Sequence, residues 1–225
     1  MTKCHSVDEA LFYVDKTLEN GWSRAVLMNF LDTQLYAAQG KAITNFSKYL
    51  PEPMSDLAQQ TLKDPYNFDF LTMRENYNER ELEDALTKNI TRFLLELGSG
   101  FAFVGRQVRL EINGNEFFID LLFYHLKLRC YVVIELKVTE FKPEYLGQLG
   151  FYVTAINKQM KRKEDSPTIG LIICKTKDRI IAEYALEGTN QPLGISQYDL
   201  VKIMPDELKN TLPSIEEIEN KLNEE

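Results

Sequence analysis

Residues 116 to 138 form two strongly apolar β-type runs that nevertheless contain Asp120, Glu135 and Lys137. An ionised carboxylate buried without a partner costs several kcal/mol, so two acids and an amine in such strands call for a bound cation or a closed ion network. This requirement constrains the fold more than any other feature of the chain, because the three charges have to meet.

Spacing indicates where they meet. The runs 116–125 and 130–138 are separated by Leu126 to Arg129, short enough for a hairpin. A turn that sets Lys127 opposite Leu128 brings Asp120, counting outward, opposite Glu135. Opposed residues share a sheet face with Cβ atoms roughly 4.5–5.5 Å apart, and Lys137 shares that face because strand side chains alternate. The preceding run, Phe101 to Ile112, ends in Asn113-Gly114, where both residues tolerate the positive φ of a type I′ turn. Counting outward from that turn puts Gln107 opposite Asp120. The expectation is a three-strand antiparallel meander with Asp120 on its middle strand, and a one-residue slip would scatter the charges.

At 225 residues and 44% hydrophobic, the chain can bury a sizeable core and a smaller second unit. No apolar run approaches the roughly 20 residues of a membrane span, and no signal-peptide pattern opens the sequence. Cys4, Cys130 and Cys174 are far apart and read as reduced thiols, which together with the missing signal predicts a cytoplasmic protein without membrane contact. The net charge of −8 argues against a polyanionic partner, but its distribution does not. Residues 204–225 carry seven acids against two lysines, whereas residues 140–180 carry eight bases, including Lys158, Lys161 and Arg162, against five acids. A locally basic stretch after the acid pair can steer a polyanion.

Helical periodicity runs through residues 1–50, with Leu11, Val14 and Leu18 in its first part, and Pro51-Glu-Pro53 ends it. A helix is predicted from Asn78 to Leu97, with Leu82, Leu86, Ile90, Phe93 and Leu97 on one stripe and Gly98 as C-cap. Glu79 and Glu83 lie on or beside that stripe, and Glu83 is the better placed to look inward. Helices are further predicted over 142–160, with Gln148 and Tyr152 on one face, over 178–186, and over the acidic C-terminus, with strands over 167–175 and 193–198. The order implies a mixed sheet flanked by helices, an α/β fold with an all-helical N-terminal region. The expected divisions are 1–75, 76–204 and 205–225.

Hard oxygen donors select Mg²⁺ or Mn²⁺. Asp120 and Glu135 fit that role, the carbonyl of Leu136 adds a ligand, and Lys137 beside them can offset charge on a phosphate. The set Asp120, Glu135-Leu-Lys137, Glu83 on a preceding helix and Gln148-x-x-x-Tyr152 on a following one resembles the PDDEXK, or restriction-endonuclease-like, nuclease superfamily. The strings from Phe93 to Gln107, Asp120-Leu-Leu-Phe-Tyr-His125 and Gly147-Gln-Leu-Gly-Phe-Tyr152 resemble its YhcG-type family over residues 76–204. Gly21-Trp-Ser-Arg24, Gly40 to Phe46 and Lys63 to Leu71 resemble the end of that family's winged-helix-like N-terminal domain, here in partial form. The resemblance implies a core of helix, meander, helix and strand, and a metal-dependent nuclease acting on DNA as an endonuclease, with a homodimer in view. It makes Asp120 and Glu135 metal ligands, Lys137 the catalytic lysine, Glu83 an accessory acid and Gln148 a positioning residue. Tyr152, Gln107 and Arg106 become substrate contacts. The same residues also admit a structural ion cluster, a nucleic-acid-binding or assembly module without turnover, or an RNase. His125 lies on the opposite face from Asp120 by strand parity and is not expected in the chemistry.

Overall fold

The computed structural model describes residues 3–200 and the backbone of 203–204. The C-terminal helix expected for 205–225 lies outside the described residues. Helices α1 (Val7–Asn20), α2 (Arg24–Asp32) and α3 (Leu35–Ala38) come first. They are followed by strand β1 (Ile43–Thr44), helices α4 (Phe46–Tyr49) and α5 (Met54–Thr61), and strands β2 (Tyr66–Asn67) and β3 (Met73–Arg74). Helices α6 (Glu79–Lys88) and α7 (Ile90–Leu97) lead into the meander of β4 (Phe101–Ile112), β5 (Asn115–His125) and β6 (Cys130–Glu140). Then come α8 (Tyr145–Gln159), β7 (Ile169–Thr176), α9 (Arg179–Glu187), β8 (Leu193–Asp199) and β9 (Ile203–Met204). The expected order of helix, antiparallel meander, helix and strand is realised.

One mixed sheet runs β1-β8-β7-β6-β5-β4, with β2 added beside β8. The meander pairs are antiparallel, while β6–β7 and β7–β8 are parallel, as the α8 and α9 crossovers require. Leu82, Leu86, Phe93 and Leu97 of α6 and α7 pack with Leu121, Phe123 and Ile134 in one core layer. Leu149, Val153 and Ile156 of α8 pack with Leu122, Val133 and Ile172 in the other.

Two features differ from the sequence reading. The helix predicted over 78–97 is two helices broken at Asn89, which has φ −106 and ψ 33 and caps both. The Asn89 side chain donates back to the Ala85 carbonyl at 3.0 Å, a local bond that competes with helix continuation, and β-branched Ile90 and Thr91 follow it. The apolar stripe continues through the break, so periodicity did not show it. The N-terminal region, helical as expected, also supplies β1 and β2 to the sheet through β8. In α1 the periodic residues Leu11, Val14 and Leu18 face solvent, and Tyr13 on the other side packs with Phe30 and Leu35.

Candidate active site

The β5–β6 ladder runs from His125↔Cys130 to Leu121↔Ile134, in the register that places Asp120 against Glu135. There it stops, and side chains take over. The Leu136 amide donates to Asp120 Oδ2 at 3.0 Å, and the Asp120 amide points at Glu135 Oε1 at 3.4 Å. Each acid thus takes a backbone N–H of the opposite strand, while β6 keeps its pairing with β7 at Glu135↔Ile172 and Lys137↔Cys174. The sheet opens on one side of β6 only, and the two carboxylates line the opening.

Across β5, the type I′ turn forms as expected, with Asn113 at φ 51 and Gly114 at φ 77. The predicted register holds from Gly105 to Ile112 and shifts by one residue at a bulge between Phe103 and Gly105. Gln107 therefore falls opposite Asp120, between the pairs Arg106↔Leu121 and Val108↔Ile119. It adopts φ 45, a left-handed conformation inside a strand and a form of strain that clusters at functional sites. Its Nε2 donates to Glu83 Oε2 and lies 3.4 Å from Asp120 Oδ1, so one amide spans the helix acid and the strand acid. Arg106 Nε stands 3.7 Å from Glu83 Oε1, and its Nη1 pairs with Asp84.

Lys137 shares the face of Glu135, with Nζ 3.8 Å from Glu135 Oε2. It also lies 3.4 Å from Glu79 Oε2. Glu79 opens α6, whose start is set by a capping box: the Asn78 side chain accepts from the Glu81 amide and Glu81 accepts from the Asn78 amide.

The electrostatics reflect burial of like charges. Burial, reinforced by Asp120, pushes Glu135 up to about 8. Asp120 is raised chiefly by burial, against the Leu136 amide bond and Lys137, and Glu83 is raised chiefly by burial against its bond from Gln107. Burial disfavours the charged form of Lys137, yet Glu135, Glu79 and Asp120 together hold it above the ordinary lysine range. Glu135 Oε2 and Glu83 Oε1 are both buried without a hydrogen-bond partner.

Such acids suit a hard divalent cation. Among the described residues no group of three or more His, Cys, Asp or Glu is placed to hold a metal. An ion at this point would use the Asp120–Glu135 pair, completed by a backbone carbonyl, water and substrate oxygens, which is the usual manner of Mg²⁺. The Glu135 oxygen that accepts no hydrogen bond and the raised acids fit that donor set.

The remaining candidates lie on α8 and just after it. Gln148 donates to the Tyr152 hydroxyl at 3.1 Å, so these two share a face as expected, and Tyr152 lies within the electrostatic reach of Glu135, Asp120 and Lys137. Lys158 sits in the last turn of α8, six residues and about 9 Å of rise past Tyr152, and Lys161 and Arg162 follow the helix end. There Lys161 donates to the Arg162 carbonyl and the Arg162 amide to Asp165. Two residues near Lys137 escaped the sequence reading as site members. Glu79 was visible as the residue one turn before Glu83, whereas Tyr145, whose ring centroid is 5.4 Å from Lys137 Nζ, carried no sequence signal. His125 is buried away from the site, with Nδ1 accepting from the Leu128 amide at 3.1 Å, a structural role that agrees with its strand parity.

Residues 59–213 match the family model described as YhcG PDDEXK nuclease domain. The match begins upstream of residue 76 and so takes in β2. The Escherichia coli (strain K12) protein YhcG is 36% identical over 220 residues, covering 94% of this chain, and the chain spans 58% of that relative's length. Among solved structures, a repair endonuclease from Pyrococcus abyssi aligns with 58% of this chain and 50% of its own, at 18% identity and a TM-score of 0.36. A complex of EndoMS with dsDNA aligns with 60% of this chain and 46% of its own, at 15% identity and a TM-score of 0.36.

Proposed function

We propose that this chain, which belongs to the YhcG family of PDDEXK nucleases, hydrolyses phosphodiester bonds in DNA as a divalent-metal-dependent endonuclease. The observation that carries this reading is the pair Asp120 and Glu135, brought together where the β5–β6 ladder ends, with Lys137 3.8 Å from Glu135. Asp120, Glu135 and the Leu136 carbonyl would hold Mg²⁺ or Mn²⁺. When bound, the ion supplies Lewis acidity at the scissile phosphate and lowers the pKa of the attacking water.

The protein's own groups do the rest. Lys137, held charged by its three acidic neighbours, offsets the negative charge that grows on the phosphate oxygens. Gln107 fixes Asp120 and Glu83 relative to each other, and Glu83 acts as an accessory acid. Gln148 and Tyr152 line the same face from α8, and Arg106 on the edge strand is a further substrate contact. Lys158, Lys161 and Arg162 would meet nucleic acid at and beyond the C-terminal end of α8. DNA is preferred over RNA by the restriction-endonuclease-like character of the family. One site of this kind cuts one strand at a time, so breaks in both strands bring in a homodimer. No helix among the described residues is long and apolar enough to cross a membrane.

Purified protein incubated with supercoiled plasmid, single-stranded DNA and RNA in Mg²⁺ or Mn²⁺ tests this. Nicking or linearisation of plasmid is expected, and EDTA or Asp120→Ala should abolish it. Cleavage that survives either treatment overturns the assignment, and cleavage confined to RNA moves the substrate.

A further inference from the structure

A lysine side chain is a flexible stem ending in a point charge, so burial alone does not fix where its ammonium sits. Three groups surround the Lys137 ammonium: Glu79 Oε2 at 3.4 Å, Glu135 Oε2 at 3.8 Å, and the Tyr145 ring with its centroid at 5.4 Å. The ring is itself held. Its hydroxyl lies 2.9 Å from Thr139 Oγ1, and it packs edge-on against Phe141 with planes at 81°. Glu79 and Tyr145 are the first residues of α6 and α8 respectively. Two helix starts therefore converge on one residue of β6.

We infer that Tyr145 and Glu79 are positioning residues that hold the Lys137 ammonium beside the acid pair without letting it close onto Glu135. The aromatic face attracts the cation on one side and Glu79 draws it on the other. Without them, Lys137 closes from 3.8 Å onto Glu135 Oε2, which accepts no hydrogen bond, and competes with any divalent ion for that carboxylate. The consequence for turnover rests on the nuclease reading above, whereas the geometry stands apart from it.

The test has two arms. In protein carrying ¹³C at the lysine ε-carbons, with Lys137 identified by Lys137→Arg, ring current from Tyr145 should displace the Lys137 ε-protons upfield. The displacement should persist in Tyr145→Phe, which keeps the ring, and vanish in Tyr145→Leu, with the other lysine signals unmoved as a check on folding. In single-turnover plasmid cleavage, Tyr145→Leu should lower the maximal rate about tenfold or more with half-saturation by DNA changed less than about twofold, the pattern of a misplaced group rather than lost binding. Tyr145→Phe should cleave nearly as wild type, and Glu79→Gln should fall between. Absence of the ring-current displacement in wild type overturns the inference, as does a Tyr145→Leu protein that loses the displacement but cleaves at the wild-type rate. A wild type that shows the displacement but cuts nothing leaves the positioning geometry standing and removes the nuclease reading instead.

Discussion

Replacing Glu135 by glutamine should stabilise the metal-free protein while abolishing cleavage. Glu135 is 1% exposed, and burial with Asp120 alongside raises its pKa from the ordinary 4.5 to about 8. A raised carboxyl pKa means that the folded chain binds the proton more tightly than the unfolded chain. Stability therefore falls as pH rises from 4.5 and levels off above about 8. From 4.5 to pH 7, at about 1.36 kcal/mol per pH unit, the penalty approaches about 3 kcal/mol. Glutamine is neutral in both states and carries none of it. In EDTA, Glu135→Gln should exceed wild type by about 2–3 kcal/mol at pH 7 and by almost nothing near pH 4. With a slope near 2 kcal/mol/M, urea midpoints would separate by roughly 1 M. Differencing the two proteins cancels the titrating groups remote from position 135, leaving Asp120 and Lys137, which interact with Glu135, as the ones that shift with it. Mn²⁺ should raise the wild-type midpoint only, since only that chain keeps the full donor pair. A difference that does not vary with pH, or a variant less stable than wild type at pH 7, would refute the reasoning.

Other sites give independent checks. Lys63 and Glu96 form a buried pair at 3.3 Å, so Lys63→Met alone should cost about 3–5 kcal/mol in urea unfolding, and Lys63→Met with Glu96→Leu should regain most of it. Gly100 sits at φ 99, and a Cβ there would lie 2.8 Å from the His125 ring, so Gly100→Ala should lose about 1–3 kcal/mol, seen as a lower melting temperature. His125 is depressed from 6.5 to about 4, mainly by burial; its contribution is full above 6.5 and is lost as pH falls toward 4, and His125→Gln should flatten that acid limb.

The centre of the site was legible because strand registry is discrete. Two turns with strong local signals set the meander, and alternation then put Asp120, Glu135, Lys137 and Gln107 on one face without any long-range information. The bulge near Val104 escaped notice because it falls beyond Gln107, where it leaves the site register untouched. Helix periodicity marked Glu83 as the acid better placed to look inward than Glu79, and Glu83 is the buried one, but only the packing angle of α6 decides that Glu79 reaches Lys137 and Glu83 reaches Gln107. Tyr145 was invisible for a related reason: its proximity to Lys137 follows from how α8 starts after the turn at Lys142, a tertiary matter. The break at Asn89 shows the converse, a local side-chain bond overriding a pattern that runs through it. Sequence proximity places Lys158, Lys161 and Arg162 after the acids, and in the fold they fall in the last turn of α8 and just beyond it.

Crystals soaked in Mn²⁺ and measured at the manganese absorption edge test the cation site most directly. An anomalous peak is expected between the Asp120 and Glu135 carboxylates, and none in Asp120→Asn. A protein that cleaves DNA in Mn²⁺ yet shows no peak at that point, or shows it unchanged in Asp120→Asn, would contradict the assignment of these two acids as the metal-binding pair.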